Sequence, residues 1–284
     1  MLFLSVFAYA GQGGNPCPTV LDADGMSDAE MQAVAKKFGH ESVFVFAPES
    51  ADHDFLFRYF VPRHEMEMCG HATIGALWAL ARAGRLKSDM VRVKTKSGIV
   101  TGFIERRGDD WNVAITQPPG KIATLGGEAV ARILSVLNAD MDDLADAPVS
   151  NAATSRVKTL IPFRDVARLN ELAPSAAAVE AVCEAIGSTG LYPYAVLERG
   201  KQHFEARQFP KSSGYPEDAA TGIAAAALAF GLLECGLIAR DDRVTRIFQG
   251  RAMGRLSAID VRIAFAGDHA AGCLLGGDVV EIDM

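Results

Sequence analysis

Two short segments carry residues that could move a proton, and each precedes an apolar run that predicts a helix. The first is Cys69-Gly70-His71, which opens the run Ala72–Ala81. A thiol just ahead of a helix N-terminus can become a reactive thiolate, and an imidazole there can bind substrate or relay a proton. Both also have ordinary structural roles, Cys69 as a small packed apolar side chain. The segment indicates acid/base chemistry of the kind a racemase performs.

The second segment runs from Asp218 into an alanine-rich stretch that ends near Cys235. Its carboxylate is predicted to cap the helix, and functionally it could bind a substrate amine or orient a proton; the neighbouring Glu217 is a weaker candidate. When the two segments are aligned in sequence, Thr221 corresponds to His71 and Ala219 corresponds to Cys69. A racemase with two thiol bases is therefore not predicted.

Glu41 is the third candidate, because it lies where a predicted helix gives way to an apolar strand. The helix is predicted from a capping box at Ser27 and runs to Phe38, and the strand is Val43–Ala47. A carboxyl group beside apolar surface tends to have a raised pKa, which general acid/base catalysis near neutral pH requires. The alternative is a solvated loop carboxylate.

The two apolar helices must be positioned by the strands around them. Each half of the chain reads as a set of short strands plus one helix that is apolar on every face, and such a helix must be surrounded by protein. We therefore predict an α+β protein of two similar domains, each a curved, mostly antiparallel sheet wrapped around its helix, with the active site in the cleft between them. The predicted domains are residues 1–118, to which a strand at about 274–284 returns, and residues 128–272.

The individual strands and helices follow from local patterns of apolar residues and turn signals. Strands are predicted at Leu2–Tyr9, Val43–Ala47, Phe55–Val61, Val91–Lys96, Ile99–Ile104, Trp111–Thr116, Val157–Ile161, Tyr194–Glu198, His203–Phe209, Val244–Gln249, Ile259–Phe265 and Gly276–Ile282. Further helices are predicted near Glu128–Leu137 and Ala176–Ile186.

Composition narrows the function further. The net charge of −7, without a Lys/Arg cluster, argues against nucleic-acid or membrane partners and favours a small-molecule substrate. Five cysteines without a C-x-x-C pair indicate reduced thiols in a cytoplasmic protein. The apolar opening is interpreted as a strand, with a secretion signal as the alternative. Nucleotide-binding, H-E-x-x-H and G-x-S-x-G motifs are missing, so no cofactor or metal is predicted.

Five motifs together resemble the PhzF-like family of phenazine-biosynthesis isomerases, in order and spacing over essentially the whole chain. They are Gly14-Asn15-Pro16, Glu41-Ser42, Cys69-Gly70-His71-Ala72-Thr73, Glu217-Asp218-Ala219-Ala220-Thr221-Gly222 and Gln249-Gly250-Arg251-Ala252-Met253-Gly254-Arg255. The resemblance implies a diaminopimelate-epimerase-like fold, shared with proline racemase. It also implies a homodimer that works without metal, PLP or nucleotide.

The resemblance also implies a role for each candidate residue. In the characterised isomerase, a glutamate moves a proton between carbons of trans-2,3-dihydro-3-hydroxyanthranilate, turning the enol of a dihydroaromatic ring into its ketone, and this role falls on Glu41. His71 and Asp218 would bind and orient the substrate. The remaining expected substrate contacts, which include backbone groups that hold its carboxylate, are Cys69, Gly70, Thr221 and Gly222.

Two departures from the family pattern bear on the substrate. Ile223 occupies the position at which the phenazine enzyme carries a serine that helps bind substrate. With Cys69, the Cys69–Thr73 motif resembles the racemases of the superfamily more than the phenazine enzyme. The predicted function is a proton-transferring isomerase of a small carboxylate-bearing, dihydroaromatic type of amino acid. The alternatives are an amino- or hydroxy-acid epimerase with Cys69 as one base, and a ligand-binding relative with weak catalysis.

Overall fold

The computed structural model describes residues 1–283, and strands and helices are distributed over the whole of this range. The strands are β1 (Leu2–Ala8), β2 (Asn15–Val20), β3 (Ser42–Phe46), β4 (Phe55–Phe60), β5 (Glu65–Met66), β6 (Met90–Thr95), β7 (Gly98–Arg107), β8 (Asp110–Gln117), β9 (Lys121–Thr124), β10 (Ser150–Ala153), β11 (Val157–Phe163), β12 (Gly190–Glu198), β13 (His203–Ala206), β14 (Phe209–Pro210), β15 (Thr245–Gln249), β16 (Ser257–Ala266), β17 (His269–Gly276) and β18 (Asp278–Glu281). The α-helices are α1 (Asp28–Phe38), α2 (Gly70–Arg82), α3 (Gly127–Leu137), α4 (Val166–Glu171), α5 (Ala176–Ala185) and α6 (Gly222–Glu234).

The chain forms two compact units with the same order of strand pairings. The first comprises residues 1–116 and the C-terminal segment from Leu275, and the second comprises residues 117–274. In the first unit β1 and β2 pair antiparallel, β2 and β3 parallel, β3 and β4 antiparallel, β4 and β6 parallel, and β6 and β7 antiparallel. In the second unit β10 to β13, β15 and β16 repeat this alternation. The internal repeat predicted from the two apolar helices therefore extends to the strands.

The wholly apolar helix of the first unit, α2, is surrounded by strands as its composition predicts. Every residue from Gly70 to Ala81 is buried, and the helix contacts β1, β2, β3, β7 and β18. Gly75 permits this close packing, because a Cβ atom there would lie 3.0 Å from a methyl carbon of Val6. A helix without a polar face can be stable only when protein covers it on all sides.

The counterpart in the second unit, α6, has the same character. It is buried at nearly every position from Gly222 to Leu232 and contacts β9, β10, β11 and β16. Gly231 lies against the side chain of Leu160 on β11, where a larger residue would clash. Both helices predicted from the alanine- and leucine-rich runs are confirmed, with their first turns at the two motifs that carry candidate residues.

Several strands were not predicted, because pairing rather than composition creates them. β2 contains Pro16 and Pro18, which normally argue against a strand. It pairs with β1 along its length but with β3 only from Thr19 onward. Each proline therefore lies beside a single neighbouring strand, where its missing N–H can be tolerated. β10 is made of small residues, yet it pairs with both β9 and β11. The predicted strand at His203–Phe209 is wrong as a single element, because it is divided into β13 and β14.

Among residues 1–283, no helix is long and apolar enough to span a membrane. The apolar opening of the sequence forms β1, which pairs with β2 on one side and with β18 on the other.

Candidate active site

Glu41 is placed by the end of α1 and the start of β3. The capping box predicted for α1 is present, with Ser27 and Glu30 bonded to each other's backbone N–H. The helix ends at Gly39, whose left-handed backbone (φ 72°) turns the chain toward β3. Glu41 is partly buried, and no hydrogen bond to its carboxylate occurs within residues 1–283. A carboxylate that no other side chain holds is free to exchange a proton with a ligand.

The Glu41 carboxylate acts electrostatically on the ionisable side chains of Cys17 and His71. Burial, together with the nearby negative charge of Glu41, raises the pKa of the Cys17 thiol to about 12, so this thiol stays neutral. Burial lowers the pKa of His71, against the opposing effect of Glu41, so the imidazole is uncharged at neutral pH. The Glu41 carboxylate thus lies close enough to the His71 imidazole and the Cys17 thiol to act on both electrostatically.

The His71 imidazole contacts the Cys69 thiol and the backbone of Pro16. Its Nδ1 atom lies 3.3 Å from the Sγ atom of Cys69, and a hydrogen bond with the Pro16 backbone partly opposes the fall in its pKa. Its Nε2 atom is buried and has no hydrogen-bond partner within residues 1–283. Buried polar atoms in folded proteins are nearly always satisfied, so an unsatisfied one is typical of a ligand site.

The first turn of α2 is anchored by a hydrogen-bonded pair beneath it. The hydroxyl groups of Tyr59 and Thr73 lie 2.7 Å apart, and Thr73 donates to the backbone carbonyl of Cys69 at 2.8 Å. Cys69 precedes the helix but its side chain does not cap it. The first N–H groups of the helix, beginning with Gly70, therefore point away from the helix body without an intrahelical acceptor.

In the second unit, Asp218 holds the loop that enters α6, but it is not the helix cap. The N-cap position of α6 is Thr221, and the helix begins at Gly222, so the prediction that Asp218 is the N-cap is wrong by three positions. The Asp218 carboxylate instead accepts a 2.5 Å hydrogen bond from the Thr221 hydroxyl. The Thr221 side chain does not cap the helix either. The first N–H groups of α6, at Gly222 and Ile223, therefore receive no hydrogen bond from the side chain at the N-cap position.

Gln249 joins these residues into one buried network that sequence reasoning identified only as part of a motif. Its Nε2 atom donates to the Asp218 carbonyl at 2.7 Å and to the Thr221 hydroxyl at 3.1 Å. Its Oε1 atom accepts from the Tyr192 hydroxyl at 2.9 Å and from the Thr221 N–H at 3.3 Å. Gln249 is fully buried, and because all its amide positions are used, it fixes the loop that carries Asp218.

Glu217, the weaker candidate, is already occupied. Its carboxylate accepts two hydrogen bonds from the Arg207 guanidinium, at 2.9 and 2.7 Å, and both side chains are nearly buried. Arg207 also donates to backbone carbonyls at Leu169, Asn170 and Leu172. Such a bidentate buried pair fixes the backbone around it, and we assign Glu217 a structural role.

Two buried polar residues of the second unit were missed by the sequence reasoning. Lys158 on β11 is 5% exposed and Gln208 is 1% exposed. A single lysine or glutamine carries no motif, and burial of either is unusual, so nothing in the sequence distinguishes them. Among residues 1–283, no group of three His, Cys, Asp or Glu side chains is arranged to hold a metal ion.

Solved structures share this fold over 99% of the chain. A PhzF-family phenazine biosynthesis protein from Bacillus anthracis superimposes with a TM-score of 0.88 at 23% identity over 96% of its own chain. A predicted epimerase from Pseudomonas aeruginosa gives 0.82 at 25% identity and 96% coverage. A probable proline racemase from Agrobacterium radiobacter K84 gives 0.63 at 13% identity and 90% coverage. The fold is therefore that of the PhzF and proline racemase group, as the sequence motifs predict.

Sequence comparison narrows this group to one family. The PhzC-PhzF family model, described as phenazine biosynthesis-like protein, matches residues 4–282. An uncharacterized isomerase, YddE, of Escherichia coli K12 is 31% identical over 94% of this chain and 91% of its own. The trans-2,3-dihydro-3-hydroxyanthranilate isomerase of Pseudomonas aeruginosa is 28% identical over 97% and 94%. The chain belongs to the PhzF-like family and is an isomerase.

Proposed function

We propose that this isomerase moves a proton between two carbon atoms of a small carboxylate-bearing substrate, with Glu41 as the general acid/base and without a cofactor. The observation that carries the proposal is the pairing of Glu41 with His71. The carboxylate is partly buried and accepts no hydrogen bond within residues 1–283, and it acts electrostatically on an imidazole whose Nε2 atom is buried without a partner.

The proposed reaction is balanced within the substrate. The Glu41 carboxylate takes a proton from one carbon, the electron pair of that C–H bond shifts into the conjugated system, and the protonated Glu41 then returns the proton to a second carbon. No net oxidation or reduction occurs. The neutral His71, whose Nε2 atom has no partner within residues 1–283, is available to bond a polar group of the substrate.

Asp218 is proposed to hold the amino group of the substrate. The first turn of each apolar helix, α2 in the first unit and α6 in the second, is proposed as a binding element for a carboxylate. A carboxylate near Thr221 attracts an ammonium group, and its 2.5 Å bond to the Thr221 hydroxyl fixes its orientation. The unsatisfied N–H groups at the two helix starts, with the positive end of each helix dipole, favour an anion. In the first unit Cys69 and Gly70, and in the second Thr221 and Gly222, are proposed to supply substrate contacts, backbone donors among them.

The substrate class is inferred from a relative and limited by one substitution. The Pseudomonas aeruginosa relative acts, by its name, on a dihydroanthranilate, which supports a dihydroaromatic amino acid. Ile223 in the first turn of α6 is partly exposed and offers no hydroxyl to a substrate. We therefore propose a substrate of the same class that presents an apolar edge at this position.

Deuterium exchange tests the proposal directly. Purified protein is incubated in D₂O with dihydroaromatic amino acids and simple α-amino and hydroxy acids, and NMR follows deuterium entering carbon positions. A general acid/base contributes about 10²–10⁴-fold to rate, so Glu41→Gln is expected to reduce incorporation by that factor. The matched control is Glu105→Gln, the same chemical change at an exposed site on β7. An equal rate in Glu41→Gln and wild type would contradict the proposal.

An epimerase that uses Cys69 as a base is the second candidate, favoured by the 3.3 Å contact of its thiol with His71. A version with two thiol bases is not supported by α6, because its first turn has no cysteine and Cys235 follows the other end of this 13-residue helix. Exchange lost in Cys69→Ala but retained in Glu41→Gln would favour the epimerase. Tight carboxylate binding without any exchange would indicate a binding protein.

A further inference from the structure

Lys158 is a buried amine without a partner. It is 5% exposed, and its ammonium group makes no hydrogen bond or ion pair within residues 1–283. Burying a charged group costs free energy unless the charge is paired. Burial lowers the pKa of Lys158 to about 8 from its ordinary 10.5, although the carboxylate of Asp218 opposes the change. A position so unfavourable for folding is typical of a residue kept for binding or catalysis.

The side chain of Lys158 lies on the face of β11 that α6 covers. Residues two apart on a strand point to the same face, and Leu160 on this face lies against Gly231 of α6. The Asp218 carboxylate, three residues before the N-cap of α6, is the first charge acting on the ammonium, yet the two form no ion pair. The lysine is thus near the entry to α6, close enough to Asp218 for the carboxylate to act on it electrostatically.

A second unsatisfied side chain, Gln208, lies on the same face of the sheet. Both polar atoms of its amide are buried without a partner within residues 1–283. The amide lies over Gly190, where a Cβ atom would clash with it. Thr159 pairs with Leu191 in parallel register, so Lys158 and Gly190 are neighbours one position earlier. The glutamine amide therefore occupies the space that a side chain at position 190 would take, on the strand position beside Lys158.

We propose that Lys158 and Gln208 form a subsite for an acidic group of the substrate, distinct from the carboxylate assigned to the start of α6, so that the substrate is a dianion such as a dicarboxylate. The ammonium and the amide NH₂ donate to the anionic oxygens, and Asp218 binds the substrate's donor group alongside them. A charge-assisted hydrogen bond in a buried site has the strength to select for such a group. That the bound anion is part of the substrate rests on the proposed function, whereas the anion subsite itself is argued from Lys158 and Gln208 alone.

Binding of simple anions tests the subsite. Isothermal titration calorimetry measures acetate, malonate and succinate binding to Glu41→Gln protein, which separates binding from proton transfer. We expect a dicarboxylate to bind at millimolar concentration, more tightly than acetate, and the preference to fall at least tenfold with Lys158→Met. Lys121→Met, at an exposed lysine of the same unit, should not change it. Gln208→Leu should weaken binding in the same direction and serves as the second variant if Lys158→Met fails to fold.

The pH dependence gives a readout that a structural lysine would not alter. The charged or titratable groups acting on Lys158 are Asp218, Arg156 and Cys183, and burial raises the pKa of Cys183 to about 11. Dicarboxylate affinity should therefore fall as the pH rises above about 8, the pKa of Lys158, and this fall should vanish in Lys158→Met. No dicarboxylate preference in the parent protein, or an unchanged preference in folded Lys158→Met, would overturn the proposal. If the Glu41 exchange experiment failed while this preference held, only the proton-transfer role would be lost.

Discussion

The Sγ atom of Cys69 lies 3.3 Å from the Nδ1 atom of His71, with both side chains buried. A reactive cysteine is usually a thiolate stabilised by a protonated histidine. Here burial lowers the pKa of His71 and keeps the imidazole neutral, so it offers the thiol no positive charge. The contact therefore orients the ring, directing its unpartnered Nε2 atom away from Cys69, and does not generate a nucleophile.

This relationship predicts that Cys69 is dispensable for proton transfer. Cys69→Ala should retain deuterium exchange within about tenfold of wild type, well short of the loss expected for an acid/base residue. Iodoacetamide near neutral pH should modify the exposed Cys235 before the buried Cys69, as followed by peptide mass spectrometry. Rapid alkylation of Cys69 that a substrate prevents would contradict the prediction.

Lys158→Met is expected to stabilise the protein in a pH-dependent way. The pKa of Lys158 is depressed from 10.5 to about 8 on folding, so between these values the unfolded chain binds more protons and wild-type stability rises with pH. Below pH 8 the buried charge costs up to about 3 kcal/mol, at 1.36 kcal/mol per pKa unit. Urea unfolding at pH 7 and pH 10 should show a gain for Lys158→Met at pH 7 that shrinks at pH 10. Equal effects at both pH values would refute the assigned cost.

Glu217→Gln should reduce stability without removing activity. Removing one partner from a buried ion pair leaves the other charge uncompensated, at a typical cost of about 3–5 kcal/mol, and the Arg207 and Glu217 side chains are only 6% and 11% exposed. Urea unfolding measures the loss, and exchange per folded molecule at low temperature should match wild type. Glu128→Gln, in an exposed pair with Arg132, should change stability by less than about 1 kcal/mol. A large activity loss in fully folded Glu217→Gln would contradict the structural role and indicate that Glu217 takes part in the reaction.

Gln249→Leu should lower both stability and substrate affinity. The change leaves the Tyr192 hydroxyl, the Thr221 N–H and the Asp218 carbonyl without their partner, and each buried unsatisfied group costs about 1–3 kcal/mol. Tyr192→Phe removes a single bond of the same network and should cost only about 1 kcal/mol. Urea unfolding ranks the two variants. Similar losses in both would mean that Gln249 does not organise the loop carrying Asp218.

Local sequence was sufficient to predict the elements that carry the site. The apolar runs after His71 and Thr221 predict α2 and α6, because a helix with no polar face leaves few alternatives. The capping box at Ser27 predicts the start of α1, and the five motifs identify the family. These features depend on residues within a few positions of one another, so the sequence alone determines them.

The tertiary structure decided what depends on distant partners. Asp218 is a good cap residue by type, yet the hydrogen bonds of Gln249, which lies 31 residues further on, hold the loop so that Thr221 takes the cap position. β10 is a strand because β9 and β11 flank it. Nothing near Lys158 in the sequence distinguishes it from an exposed lysine. Its burial under α6 follows from packing between residues more than sixty positions apart, and no local pattern encodes such contacts.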